Sequence, residues 1–121
     1  MQKDRFVTIK VLTKDATDSH STGSELVLSQ RIARADPKHE GLRYVRIVLD
    51  SFEIQGQHGQ HLCLVYVPMR ETLSTFQRRM KNECIPSNLL KPLLKFLLTA
   101  LDYLHTKCDV IHTGTFVSKL R

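Results

Sequence analysis

The sequence predicts an α+β fold, and three stretches predict it. Residues 5–12 carry Phe6, Val7, Thr8, Ile9 and Val11, the β-branched and aromatic side chains that suit a strand. Residues 44–54 and 62–67 read as two more strands, joined across Gly56-Gln57-His58-Gly59-Gln60, a glycine-bearing connection suited to a hairpin. Leu90, Leu93, Leu94, Leu97, Leu98, Leu101 and Leu104 recur at steps of three and four, which gives one face of a long helix. Lys91, Lys95 and Asp102 fall largely on its other side.

Composition narrows the class. A chain of 121 residues with 41% hydrophobic and 25% charged residues is ordinary globular material with room for one modest core. Its charge of +6 is spread along the chain, with acids interspersed and few aromatics, so no dedicated nucleic-acid surface is indicated. Cys63, Cys84 and Cys108 are odd in number, widely spaced and without a C-x-x-C pair, which encodes neither a disulfide framework nor a zinc site. His58 and His61 have metal-like spacing but lack a second ligand pair and read as surface histidines. No signal-peptide core opens the chain, and Lys91, Pro92 and Lys95 interrupt the leucine helix. No membrane partner and a cytoplasmic or nuclear location are therefore expected.

The remaining elements follow in order. Ser21, Thr22 and Ser24 offer helix caps ahead of Glu25, and residues 25–35 read as a helix burying Leu26, Leu28 and Ile32. Pro37 and Gly41 oppose its continuation, so residues 35–43 form a loop. Residues 71–81 predict a short basic helix with Arg78, Arg79 and Lys81 on a solvated face, and Pro86-Ser87 marks the break before the leucine helix.

The string Leu101-Asp102-Tyr103-Leu104-His105-Thr106-Lys107-Cys108, followed by Val110-Ile111-His112-Thr113, resembles the helix that leads into the catalytic loop of eukaryotic protein kinases. His112-Thr113 and the hairpin pattern from Asp50 to Tyr66 are similar to the SR-protein-specific serine/threonine kinase branch in particular. Val7-Thr8-Ile9-Lys10 resembles that family's V-A-I-K strand. The resemblance implies an incomplete protein-kinase-like α+β fold. Three antiparallel strands and one helix would form a partial N-lobe over 1–69, and two helices the start of a C-lobe over 70–113, with an unrelated tail at 114–121. It implies that Lys10 pairs with Glu25 and reaches the phosphates of ATP. Tyr66 would then stand at the gatekeeper position, while the carbonyl of Val67 and the amide of Met69 would meet adenine across Pro68. A complete parent would use ATP and magnesium to phosphorylate Arg/Ser-rich proteins.

Two departures argue against turnover by the chain itself. Gly114 stands where the family's catalytic Asp is expected, and the residues after it do not continue the motif. Residues 1–9 leave no room for the glycine-rich phosphate hairpin that precedes the lysine strand in the family. The expected chain is catalytically inactive and binds nucleotide weakly or not at all. The alternative is a pseudokinase-type module that competes for kinase-associated proteins. Its leucine face would otherwise invite chaperones or self-association.

Overall fold

The computed structural model describes residues 6–13 and 23–111. Arg5, the cap candidates Ser21 and Thr22, His112, Thr113, Gly114 and the tail lie outside the described residues. The order is β1 Thr8–Val11, α1 Ser24–Ala35, a 3-10 turn Glu40–Tyr44, β2 Asp50–Gly56, β3 Gly59–Tyr66, α2 Leu73–Arg78, a 3-10 turn Lys81–Glu83, and α3 Ser87–Thr106. They gather into two units, Met1–Ala35 with Arg46–Met69, and Asp36–Val45 with Arg70–Arg121. The stretch after α1 thus groups with the C-terminal helices.

In the first unit the strands form an antiparallel sheet in the order β1-β3-β2. Its register pairs Thr8 with Tyr66 and Lys10 with Leu64, so these four side chains share one face. Leu64 is fully buried and Tyr66 is 6% exposed, which makes this face of the central strand the heart of the unit. Cys63, on the opposite face, lies between Val11 and Phe52 in the ladder and is also buried.

The hairpin is tighter than the sequence suggests. Gly56 pairs with Gly59, leaving Gln57 and His58 as a two-residue tip rather than a five-residue connection. Gly59 supplies the positive φ, +126°, that the reversal needs and a side chain would strain. The strand expected from residue 44 begins only at Asp50. Tyr44 ends the 3-10 turn, and the amide of Val48 donates to Ser29 Oγ at 2.7 Å instead of to a ladder partner.

Helix α1 starts at Ser24, with the carbonyl of Gly23 accepting the amide of Val27 at 3.1 Å. Its buried residues are Ser29 and Ile32, whereas Leu28, expected inside, is 40% exposed. The inward stripe runs through positions 25, 29 and 32, and at 3.6 residues per turn Leu28 falls on its edge, roughly 65° from the centre.

In the second unit the Glu40–Tyr44 turn lies along α3, with Gly41 buried where the two backbones meet. Tyr44 stacks on Phe96 at 4.7 Å and His39 tilts over Tyr103 at 5.0 Å. Tyr103 is fully buried, and its hydroxyl accepts the amide of Asp36 at 3.3 Å. His39 Nδ1 accepts the amide of Gly41 at 3.0 Å, which places the proton of the neutral ring on Nε2, facing Asp102 at 3.3 Å. The buried stripe of α3 is therefore Ala100 and Tyr103 rather than the leucine face. Leu90, Leu94, Leu97 and Leu98 are 37%, 45%, 53% and 64% exposed. The predicted basic helix of 71–81 is reduced to α2, capped by Thr72 Oγ, which accepts the amide of Thr75 at 3.2 Å. Asn82 and Glu83, at φ 58° and 52°, turn the chain toward α3. Among the described residues no helix is long and apolar enough to cross a membrane.

Candidate functional site

Strand β1 projects Lys10 toward α1, and the first turn of α1 places Glu25 within reach. Lys10 Nζ lies 2.7 Å from Glu25 Oε2, although the two residues are fifteen apart in the chain. Their side chains are 50% and 41% exposed, so the pair is worth less than about 1 kcal/mol to stability and matters chiefly as a geometric arrangement.

The second carboxylate oxygen is also occupied. The Tyr66 hydroxyl donates to Glu25 Oε1, and Arg46 lies 4.4 Å from the centroid of the Tyr66 ring in a cation–π arrangement. Burial alone would push the Glu25 carboxyl up. Hydrogen bonds from Lys10 and Tyr66, with the charges of Lys10 and Arg46, together outweigh it and leave the carboxyl below its ordinary 4.5. Burial and the adjoining Glu25 carboxylate push the Tyr66 phenol up to about 12. The cluster is thus one carboxylate flanked by two cations and a neutral phenol at neutral pH.

Lys10, Glu25 and Tyr66 are brought together. Val67 and Met69, the other two residues singled out in the sequence, follow β3 and are 54% and 66% exposed. Gly114 lies outside the described residues. Sequence reasoning missed Arg46, for which no periodicity or motif gave a signal. It also missed the role of Ser29, which was legible as a polar residue one turn beyond Glu25 on the inward stripe.

The residues present fit a phosphate group: a half-exposed ammonium on a strand, fixed in register by a carboxylate, can meet a polyanion without moving far. Among the described residues no three His, Cys, Asp or Glu side chains converge. His61 instead turns its Nδ1 to the carbonyl of Leu12 at 3.1 Å. Within the second unit, a groove of about 690 Å³ lies between α2 and α3, floored by Leu73, Phe76, Leu89 and Leu93 and edged by Arg70 and Arg79. Arg79 there is paired with Glu71.

No protein-family model matches the chain. A serine/threonine protein kinase of Aspergillus fumigatus is 34% identical over 113 residues, 93% of this chain and 28% of its own length. The serine/threonine-protein kinase SRPK of Physarum polycephalum is 36% identical over 109 residues, 90% of this chain and 25% of its own. Protein kinase dsk1 of Schizosaccharomyces pombe is 32% identical over 109 residues, 90% of this chain and 20% of its own. The chain thus spans between 20% and 28% of the length of these relatives.

Proposed function

We propose that this chain, which belongs by sequence to the SR-protein-kinase branch of the serine/threonine protein kinases, carries the nucleotide-facing lysine–glutamate pair of such an enzyme and does not itself transfer phosphate. The observation that carries the reading is the 2.7 Å approach of Lys10 to Glu25. A strand lysine paired in this way meets the phosphates of ATP in the kinase reaction, and ATP supplies the transferable phosphoryl group when bound. Val67 and Met69 would meet the adenine edge through their backbone groups. The complete parent would act on Arg/Ser-rich proteins, with magnesium held by residues other than those described. Gly114 cannot orient a substrate hydroxyl or take its proton, so catalysis by this chain is not expected.

Two assays test this reading. With ATP, magnesium and an Arg/Ser-rich peptide, the purified chain should give no phosphate incorporation. Metal-dependent incorporation would overturn the reading of Gly114. In competitive acylation, millimolar ATP should slow modification of Lys10 more than that of the other lysines. Equal slowing at every lysine would overturn the nucleotide reading.

A second reading, a non-catalytic module that competes for partners of the parent kinase, draws on α1. Val27 and Leu28 there are 64% and 40% exposed. Failure of added chain to displace a known partner from the parent kinase would count against it.

A further inference from the structure

We propose that Tyr66 is a positioning residue whose hydroxyl sets the Glu25 carboxylate against Lys10, rather than a group that addresses the nucleotide base. The proposal deepens the reading above, on which the purpose of Lys10 rests, and it stands on the geometry of one cluster.

Tyr66 lies on the central strand with its side chain buried, on the same sheet face as Lys10. Its hydroxyl has one proton, and that proton is given to Glu25 Oε1. Lys10 takes Oε2. With both oxygens engaged from different strands, the carboxylate cannot turn about its terminal torsion without losing one partner. That torsion is otherwise soft. Arg46 closes the arrangement on the face of the phenol ring, 4.4 Å from its centroid, and adds a second positive charge near Glu25.

The consequence is an ordered dependence. The sheet fixes Tyr66, Tyr66 fixes Glu25, and Glu25 fixes the ammonium of Lys10. Phenylalanine at position 66 would keep the ring and the Arg46 contact but free Oε1 to water. The carboxylate would then sample orientations that leave Lys10 unpaired. The raised phenol pKa agrees with a hydroxyl whose proton is already committed.

The test is competitive acylation of the 121-residue chain at mildly alkaline pH, reading each lysine by mass spectrometry. Tyr66→Phe should raise the labelling of Lys10 relative to the other lysines by roughly two- to fivefold, the range spanned by an exposed ion pair. Glu25→Gln should raise it comparably, and the double variant should add nothing further. Unchanged Lys10 labelling in a Tyr66→Phe chain with wild-type circular dichroism would overturn the proposal. Should Tyr66→Phe not fold, Glu25→Gln tests the coupling from the other end, with the Tyr66 ring followed by carbon-13 resonances. Its phenol should titrate below about 12, because burial continues to raise it while the push from the Glu25 carboxylate is gone. An unmoved midpoint would overturn the proposal. None of these readouts needs ATP, whereas ATP protection of Lys10 in the unsubstituted chain tests the nucleotide reading, so either can fail alone.

Discussion

Gly41→Ala should destabilise the second unit far more than a single methyl group ordinarily does. A Cβ at Gly41 would lie 2.4 Å from the carbonyl oxygen of Thr99 and 2.6 Å from Tyr103 Cβ, with His39 Nδ1 at 3.0 Å. The worst of these falls about 1 Å short of ordinary contact, and the atom in the way is helix backbone, which cannot swing aside like the end of a flexible side chain. The 3-10 turn would have to lift away from α3. Lifting it opens the fully buried Tyr103 and loosens the His39 cap on the Gly41 amide. Overpacking costs about 1–3 kcal/mol, and a backbone obstruction belongs at the upper end. At roughly 4 °C per kcal/mol for a chain of this size, the melting midpoint should fall by about 10 °C. Amide exchange along α3 near Thr99 and Tyr103 should accelerate in step. Gly23→Ala is the matched control, since a Cβ there meets nothing within 4 Å and the change costs only about 0.5 kcal/mol at a helix cap. Equal melting of the two variants would refute the argument that backbone approach, rather than loss of a glycine, sets the cost.

Three further outcomes are expected. Ser29→Ala should lose about 1–3 kcal/mol in urea denaturation, because it strands the Val48 amide that now donates to Ser29 Oγ at 2.7 Å. The stability that Glu25 draws from Lys10 and Tyr66 is fully present above the ordinary carboxyl value of 4.5 and is lost as pH falls through its depressed folded value. Glu25→Gln should therefore flatten a small part of the acid limb in a pH series of melts and leave stability at pH 7 lower by less than about 1 kcal/mol. Under native conditions a maleimide should modify Cys84, which is exposed, well before Cys63 and Cys108, which are each 1% exposed. Equal labelling rates at the three thiols would contradict the packing of both buried sulfurs.

The elements legible from sequence were those whose signal is local. The strand at Thr8–Val11 and the helices at Ser24–Ala35 and Ser87–Thr106 follow from β-branched content and 3.6-residue periodicity. What periodicity could not supply was which side of a helix finds a partner. The leucine face of α3 looks like a core stripe, yet the 3-10 turn packs on the side of Ala100 and Tyr103, where the missing side chain of Gly41 lets its backbone approach Thr99 and Tyr103. Small residues permit close approach, and a hydrophobicity count undervalues them. The late start of β2 was hidden for a similar reason, since a single serine in α1 diverts the Val48 amide. In the site, the Lys10–Glu25 pairing was readable from the family pattern, whereas Arg46 over Tyr66 exists only once the chain after residue 45 returns to the sheet.

The energetics of the cluster decide which of its parts carries the geometry. The Lys10–Glu25 pair is half exposed and too weak to hold a strand in place. Strand β1 is four residues long and lies at the sheet edge, so its position comes from its ladder to β3, which the Leu12 amide extends to the carbonyl of Leu62 at 2.9 Å. Tyr66 is on that same central strand, buried and beside Arg46. Ammonium and phenol are therefore both referenced to β3, and the carboxylate between them inherits its orientation from that strand. A variant that loosens β3, such as Leu64→Ala at its fully buried centre, should disorder Lys10 and Tyr66 together. One that breaks only the ion pair should leave Tyr66 and Arg46 in place. Site-resolved resonances of the Tyr66 ring in the two variants would separate these cases, and a Tyr66 ring equally perturbed by Lys10→Met would mean that the pair, not the strand, organises the site.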